Sequence, residues 1–151
     1  MQVAIEAARS GIRLGHGGPF GACLVKNGKI LAVAHNTVLK TYDATCHAEI
    51  NAIRGASKKW KTPFLEEAVI YSTTEPCPMC FAAIHWARIS RVVYGADIAD
   101  VKRRGFNELT ISSSKLKMMG RSPVRITKGF MRRECLGLLR EWDRLETKHP
   151  Y

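Results

Sequence analysis

The 151-residue sequence lacks long apolar runs and contains few cysteines. No apolar stretch approaches the roughly twenty residues that a membrane-spanning helix needs, so the sequence predicts no transmembrane segment. Its five cysteines are an odd number without the spacing of a disulfide framework, and the first segment is too short and too charged for a signal peptide. These absences argue against a membrane protein or a secreted disulfide scaffold. We therefore expect a protein of the reducing cytoplasm.

Acidic residues are also scarce, at 13 against 24 Lys and Arg, which gives a formal net charge of +11. Ten basic residues and one acid, Glu108, lie between Lys102 and Arg133, so this basic segment carries +9 of that charge. Such a segment could bind RNA phosphates. A solvated surface, or a contact with an acidic surface of a partner subunit, would have the same composition.

Length and hydrophobic patterning predict one α/β domain over residues 1–151. Helical periodicity covers residues 2–14, 44–60, 77–88 and 130–145. Strand patterns cover residues 20–36, 65–73, 89–95 and 123–127, and the first of these contains an Asn27-Gly28 hairpin turn. Alternation of strands and helices predicts a central sheet covered on both faces. Cys23, Cys46 and Cys135 have apolar surroundings and are expected in the core.

Cys77 and Cys80 are three positions apart, so both thiols can reach one metal ion from the first turn of a helix. His47 upstream supplies a third ligand of the kind zinc prefers. A structural zinc site would usually need a fourth Cys or His at a paired spacing, and none is evident. The sequence therefore predicts one catalytic zinc ion per chain, with its fourth position open to water.

Glu49 is two residues from His47, and residues at this spacing converge only at the end of a helix. We expect the helices that begin near His47 and near Cys77 to direct their N-termini at the metal, where the partial positive charge favours thiolates. Pro76 and Pro78 are compatible with a helix start. Because zinc lowers the pKa of a bound water to about 7, Glu49 is predicted to carry the proton of that water.

The stretch His47-Ala48-Glu49, followed by Pro76-Cys77-Pro78-Met79-Cys80, resembles the zinc signature of the cytidine and purine deaminase superfamily. Over nearly the whole chain the sequence is similar to bacterial-type guanine deaminases. The similarity includes the stretches Gly18–Ala22, Asn36, Trp86–Arg88, Gly105–Glu108 and Tyr151. It implies a three-layer α/β/α sandwich with a mixed five-stranded sheet, the cytidine deaminase-like fold. It also implies a homodimer and hydrolytic deamination of a purine base, most notably guanine to xanthine and ammonia.

The resemblance further implies a set of substrate-binding residues, namely Phe20, Asn36, Ala48, Trp86, Glu108 and Tyr151. Guanine presents N–H donors beside a carbonyl acceptor, which Glu108 and Asn36 could recognise. Simpler explanations are open for some of these residues. Phe20 could be an ordinary core aromatic, Asn36 a turn residue, and Glu108 a charge partner of Arg103 or Arg104.

Three other functions fit part of the sequence. Deamination of adenosine in tRNA would use the same chemistry and would explain the basic segment. Another free base or nucleoside, such as cytosine, could be the substrate. A non-catalytic zinc module that binds RNA is the third possibility. For the homodimer, we expect the apolar face of the second active-site helix, with Trp86, to extend beyond the core of one subunit.

Overall fold

A computed structural model describes residues 1–151 and places a mixed five-stranded sheet between two layers of helices. The strands are β1 (Gly21–Lys26), β2 (Lys29–His35), β3 (Val69–Thr74), β4 (Arg91–Ala96) and β5 (Arg125–Thr127). The helices are α1 (Gln2–Arg13), α2 (Val38–Thr41), α3 (Ala48–Trp60), α4 (Pro78–Trp86), α5 (Ile98–Lys102), α6 (Ser113–Met119) and α7 (Arg132–Asp143). No helix is both long and apolar enough to span a bilayer.

The sheet has the strand order β2-β1-β3-β4-β5. Strand β1 is antiparallel to both neighbours, whereas β3, β4 and β5 are parallel to one another. The hairpin between β1 and β2 turns at Asn27 and Gly28, which have φ values of 50° and 71°. Asparagine and glycine adopt such positive φ angles most easily, so this turn fixes the register of the first two strands.

Helices α1 and α7 pack together on the sheet, while α3 and α4 form the second helix pair. The apolar spacing of α7 predicts a stripe of Met131, Cys135, Leu138, Leu139 and Trp142. The last four are buried, whereas Met131 is the N-cap and is only partly buried. Cys23 and Cys46 are also buried. The expected three-layer α/β/α sandwich with a mixed five-stranded sheet is confirmed.

Two local differences separate the structure from the predicted elements. Helix α3 begins at Ala48 and not at Ala44, where the apolar period starts. The Asp43 carboxylate accepts the backbone N–H of Thr45 at 2.8 Å and so forms a turn there. Such a side-chain bond competes with helical hydrogen bonding. The short helices α2, α5 and α6 were not predicted, since segments of four to seven residues are too short to show a helical period. The capping residues of α5 and α6, Asp97 and Ser112, were the available signals.

Candidate metal centre and substrate pocket

The proposed metal ligands lie at two helix starts. His47 is the N-cap of α3 and Cys77 is the N-cap of α4, both with extended backbone. Pro78 occupies the first position of α4, where its fixed φ suits the helix and its missing N–H costs nothing. Cys80 follows in the first turn. Both helix N-termini therefore meet at one place, as the spacing predicts.

The donor atoms have the separations of a tetrahedral zinc site. His47 Nδ1 lies 3.7 Å from Cys77 Sγ and 3.6 Å from Cys80 Sγ. Zn–N bonds of about 2.0–2.1 Å and Zn–S bonds of about 2.3 Å, at tetrahedral angles, separate nitrogen from sulfur by about 3.5 Å. All three donors lie within 4.8 Å of one another. The residues therefore fit zinc, and three protein ligands leave one coordination position for water.

The two thiols differ in acidity. A hydrogen bond from Cys80, together with His47, lowers the pKa of Cys77 to about 4. The same hydrogen bond, with burial, raises the pKa of Cys80. The surrounding protein thus favours one thiolate, and coordination to zinc would deprotonate the second thiol.

Glu49 lies in the first turn of α3 and is 4 % exposed. The hydroxyl of Ser72, on β3, donates to Glu49 Oε1 at 2.8 Å. The other oxygen, Oε2, lies 3.5 Å from Cys80 Sγ. Burial raises the pKa of the Glu49 carboxyl. A carboxyl group held beside the open coordination position, with a raised proton affinity, can exchange protons with a water there. Sequence reasoning missed Ser72, because a hydroxyl in a buried strand shows no pattern.

A cavity of about 270 Å³ opens beside the ligands. Its lining consists of Phe20, Ala44, His47, Cys77, Pro78, Met79, Phe106, Asn107, Glu108, Leu109 and Tyr151. Phe20 contacts Phe106 edge-on at 5.0 Å between ring centroids, and Phe106 contacts Tyr151 in the same way at 5.4 Å. Phe20 is therefore both a core aromatic and part of the pocket wall. Phe106 was not predicted as a site residue, although its Gly105–Glu108 stretch was singled out.

Glu108 is the acidic residue of this lining. Burial, and secondarily the nearby Cys77 thiolate, raises its pKa to about 7. Arg103 pairs with Asp100 and Arg104 pairs with Asp143, so neither is the charge partner of Glu108. The alternative interpretation of Glu108 as a charge partner of Arg103 or Arg104 is wrong. Its carboxyl group remains available to a ligand.

Tyr151 closes one side of the cavity. Its hydroxyl donates to Asn36 Oδ1 at 2.5 Å and accepts the backbone N–H of Gly18 at 3.0 Å. The backbone N–H of Asn107 also donates to the Tyr151 carbonyl at 3.0 Å. Asn36 is fully buried, and its Nδ2 has no hydrogen-bond partner. A buried amide donor of this kind is costly unless a ligand satisfies it.

Three predicted substrate-binding residues are not among those that line this cavity. Asn36 is fully buried and reaches the lining only through its hydrogen bond with Tyr151. Ala48 is fully buried at the first position of α3 and does not line the cavity. Trp86 is the last residue of α4 and is 78 % exposed. Because α4 directs its N-terminus at the metal, Trp86 lies about 12 Å further along the helix axis than Pro78. The expectation that Trp86 contacts the substrate is therefore not met within this chain.

Comparisons with known proteins agree with this geometry. Residues 1–96 match the family model described as the cytidine and deoxycytidylate deaminase zinc-binding region. The chain is 44% identical over 105 residues to the guanine deaminase of Bacillus subtilis (strain 168), covering 70% of this chain and 67% of that protein. It is 38% identical over 122 residues to a tRNA-specific adenosine deaminase of Buchnera aphidicola, covering 80% and 77%.

A solved structure of guanine deaminase from Nitrosomonas europaea superimposes with a TM-score of 0.87 at 28% identity, over 95% of this chain and 82% of that chain. The matched family region contains the three zinc donors that the structure gathers at the helix starts. These findings confirm the predicted zinc cofactor, but relatives with two different named substrates leave the substrate to be argued from the pocket. The chain belongs to the cytidine and deoxycytidylate deaminase zinc-binding family and is a zinc-dependent deaminase.

Proposed function

We propose that this protein deaminates a free purine base, converting guanine and water to xanthine and ammonia. The observation that carries the proposal is the small pocket in which Tyr151 covers one side and Glu108 offers a carboxyl group beside the metal ligands. Its volume of about 270 Å³ falls just below the roughly 300–1,000 Å³ typical of ligand pockets. A single base fits this space better than a nucleotide within a tRNA loop.

Recognition of guanine would use two groups. The Glu108 carboxylate would accept hydrogen bonds from the N–H groups on one edge of the base. Asn36 Nδ2, which has no acceptor in the protein, would donate to a base acceptor. A site built to bind such groups rejects analogues that lack them, because its own buried polar atoms are then left unpaired. Adenine should therefore be a poor substrate.

The chain's own residues would handle the proton transfers. When bound, zinc supplies a Lewis acid that makes water a nucleophile near neutral pH. Glu49 would accept a proton from the attacking water and pass it to the ring nitrogen. It would then take the proton of the hydroxyl that has added to the ring carbon and deliver it to the amine, which leaves as ammonia as the carbon–nitrogen bond breaks. Phe20 and Phe106 would hold the base against the metal ligands and exclude bulk water.

A specific observation favours tRNA adenosine deamination as a second candidate. Four side chains of the basic segment have neither an acidic partner nor a hydrogen bond, namely Lys115, Arg121, Arg125 and Lys128. Arg121 and Lys128 line a surface cavity of about 620 Å³. The neighbouring Ser122 hydrogen-bonds His85, near the end of α4 that is remote from the metal. These positive groups suit phosphates but lie away from the pocket.

We also propose that the protein is a homodimer that uses the outer face of α4. This helix is apolar almost all round, which is typical of a helix covered on every side. Ala82 and Trp86 are nevertheless exposed in the single chain. Sedimentation at micromolar concentration should show a dimer that Trp86→Glu dissociates. A wild-type species of 16.9 kDa would contradict the proposal.

An ammonia-release assay would test the substrate. Free guanine, adenine and cytosine, the corresponding nucleosides, and a tRNA anticodon stem-loop would be compared at low and at physiological salt. We expect turnover of guanine that is insensitive to salt, and weak or no turnover of adenine. Activity on the stem-loop alone, with affinity that falls steeply as salt rises, would contradict the proposal and favour the second candidate.

A further inference from the structure

The pocket residues Phe106 and Glu108 belong to a segment without regular structure. This segment, residues 103–112, connects the end of α5 to the start of α6. Within it the Glu108 N–H bonds the Phe106 carbonyl, and the Ile111 N–H bonds the Leu109 carbonyl. Such short-range bonds shape the segment but do not fix its position. Packing of Phe106 against Trp142 and the hydrogen bond from the Asn107 N–H to the Tyr151 carbonyl hold the middle of the segment. The two helices that flank the segment set where its ends lie.

Both flanking helices are attached to one buried carboxylate, that of Glu75. Glu75 Oε1 accepts the backbone N–H of Ser113 at 2.9 Å, and Oε2 accepts the backbone N–H of Ile98 at 3.2 Å. Ser113 and Ile98 are the first residues of α6 and α5. Free N–H groups and the helix dipole at these starts favour a negative charge. Glu75 therefore accepts a hydrogen bond from one backbone N–H at the start of each helix, a group that has no partner within the helix.

The same carboxylate is rigidly joined to the metal-binding turn. Glu75 is two residues before Cys77, and its own N–H donates to the Ala96 carbonyl at 2.7 Å. The Ser113 hydroxyl adds a 3.0 Å hydrogen bond to the carbonyl of Pro76, between Glu75 and Cys77. The turn that carries a metal ligand thus holds the first residue of each helix that flanks the segment with Glu108.

We infer that Glu75 is a positioning residue that sets where Glu108 stands relative to the metal ligands. This inference rests on the proposed function in one respect, namely that Glu108 binds the substrate. A carboxylate that only stabilised the fold would change the melting temperature without moving the pocket wall. A positioning residue must in addition alter the order of residues 103–112 and the KM.

Two substitutions remove the attachment from opposite sides. Glu75→Gln keeps the side-chain volume, but its amide nitrogen cannot accept a hydrogen bond, so one helix start loses its partner. Ser113→Pro removes the N–H donor and leaves Glu75 intact. Proline suits the first helical position, and the extended backbone of Ser112 (φ −65°, ψ 147°) is the conformation that a following proline requires. Ser113→Ala is the matched control, because it loses the hydroxyl and keeps the N–H.

Hydrogen exchange, zinc content and steady-state kinetics test whether Glu75 positions Glu108. In Glu75→Gln and Ser113→Pro we expect one zinc per chain and exchange in residues 103–112 at least about tenfold faster, with β3 unaffected. Guanine KM should rise about tenfold or more while kcat changes less, and Ser113→Ala should lie nearer the wild type. Hydrogen exchange does not depend on the substrate, so it tests the inference even if guanine is not turned over.

Unchanged exchange in residues 103–112, in a variant that merely melts earlier, would overturn the inference. Loss of zinc without a selective change in this segment would overturn it as well, since Glu75 would then serve the metal turn alone. If Glu75→Gln does not fold, Ser113→Pro provides the same measurement with the carboxylate in place.

Discussion

The metal layer and the pocket wall are built in different ways. The metal layer comprises His47, Glu49, Cys77 and Cys80, which all belong to the starts of two helices. The pocket wall comprises Phe20, Phe106, Glu108 and Tyr151, which come from three separate segments outside the helices. Backbone geometry at a helix start orients the first group. Long-range contacts, and the attachment of neighbouring helices, hold the second group.

The matched family region reflects this division. It ends at residue 96, so it contains the whole metal layer but not Phe106, Glu108 or Tyr151. Relatives named as guanine deaminase and as tRNA-specific adenosine deaminase both align with the chain. This supports the proposal that the reaction is set by the first two-thirds of the chain, and that the base is selected largely by the remainder.

The largest effect is expected in the metal layer. Cys80→Ser should lose zinc and reduce turnover to the background rate, because a hydroxyl is a far poorer zinc ligand than a thiolate. Metal analysis and the ammonia assay measure both quantities. Cys23→Ser, in the core, is the control and should keep its zinc. A Cys80→Ser protein with full zinc and full activity would refute the ligand assignment.

Glu49→Gln should separate metal binding from proton transfer. We expect zinc to be retained and kcat to fall by at least ~100-fold, the lower end for general acid–base catalysis. The amide keeps the shape of the side chain and can still meet the Ser72 hydroxyl, but it cannot carry a proton. Near-normal turnover in this variant would rule out the assigned role.

Glu108→Ala should damage the pocket wall and spare the metal layer. Loss of a charged hydrogen-bond partner predicts a fall in guanine kcat/KM of about 10- to 100-fold with zinc unchanged. Because the pKa of Glu108 is raised to about 7, its carboxylate is present above that pH and is lost as pH falls through it. The acidic limb of kcat/KM should therefore change in the variant. Glu146→Ala, on the surface, is the control, and equal activity of the two variants would contradict the assignment.

Ser72→Ala tests the support behind the metal layer. The hydroxyl donates to Glu49 Oε1, so its loss should lower kcat about tenfold and leave KM nearly unchanged. Ser72→Thr keeps the hydroxyl and should restore the rate. If alanine and threonine variants behave alike, the effect comes from packing and not from the hydrogen bond.

The smallest effect is expected far from both regions. Arg9 on α1 bonds Glu141 on α7, and this bond lowers the pKa of Glu141 below its ordinary value near 4.5. A lowered pKa stabilises the fold above pH 4.5, and the contribution is lost as pH falls below it. Glu141→Gln should therefore lower the free energy of unfolding by less than about 1 kcal/mol near neutral pH, since the pair is partly exposed.

Denaturant unfolding of this variant and the wild type at neutral and acidic pH measures the difference. It should shrink at acidic pH, and kcat and KM should stay unchanged. A change in KM would show that the packing of α1 on α7 reaches the pocket wall, and the separation of the two regions would then be incomplete.

Much of the metal layer could be predicted because its information is local. The spacing of Cys77 and Cys80, the proline between them, and the position of Glu49 relative to His47 all follow from helix-start geometry. The hairpin at Asn27-Gly28 was equally predictable. The apolar period alone placed the start of α3 at Ala44, four residues too early, because the competing bond of Asp43 is a matter of side-chain conformation; the zinc motif placed that start correctly near His47.

The sequence by itself therefore determined the α/β pattern and the two short motifs that carry the zinc donors and the carboxylate, since each motif spans only a few positions. The packing of α3 against α4 brings His47 to Cys77, 30 positions later. Only the tertiary structure decided that Tyr151 reaches Asn36 across 115 positions, that Ser72 orients Glu49, and that Trp86 lies outside the pocket. The physical reason is that such contacts depend on how the sheet and helices pack, and packing leaves no periodic trace in a single sequence.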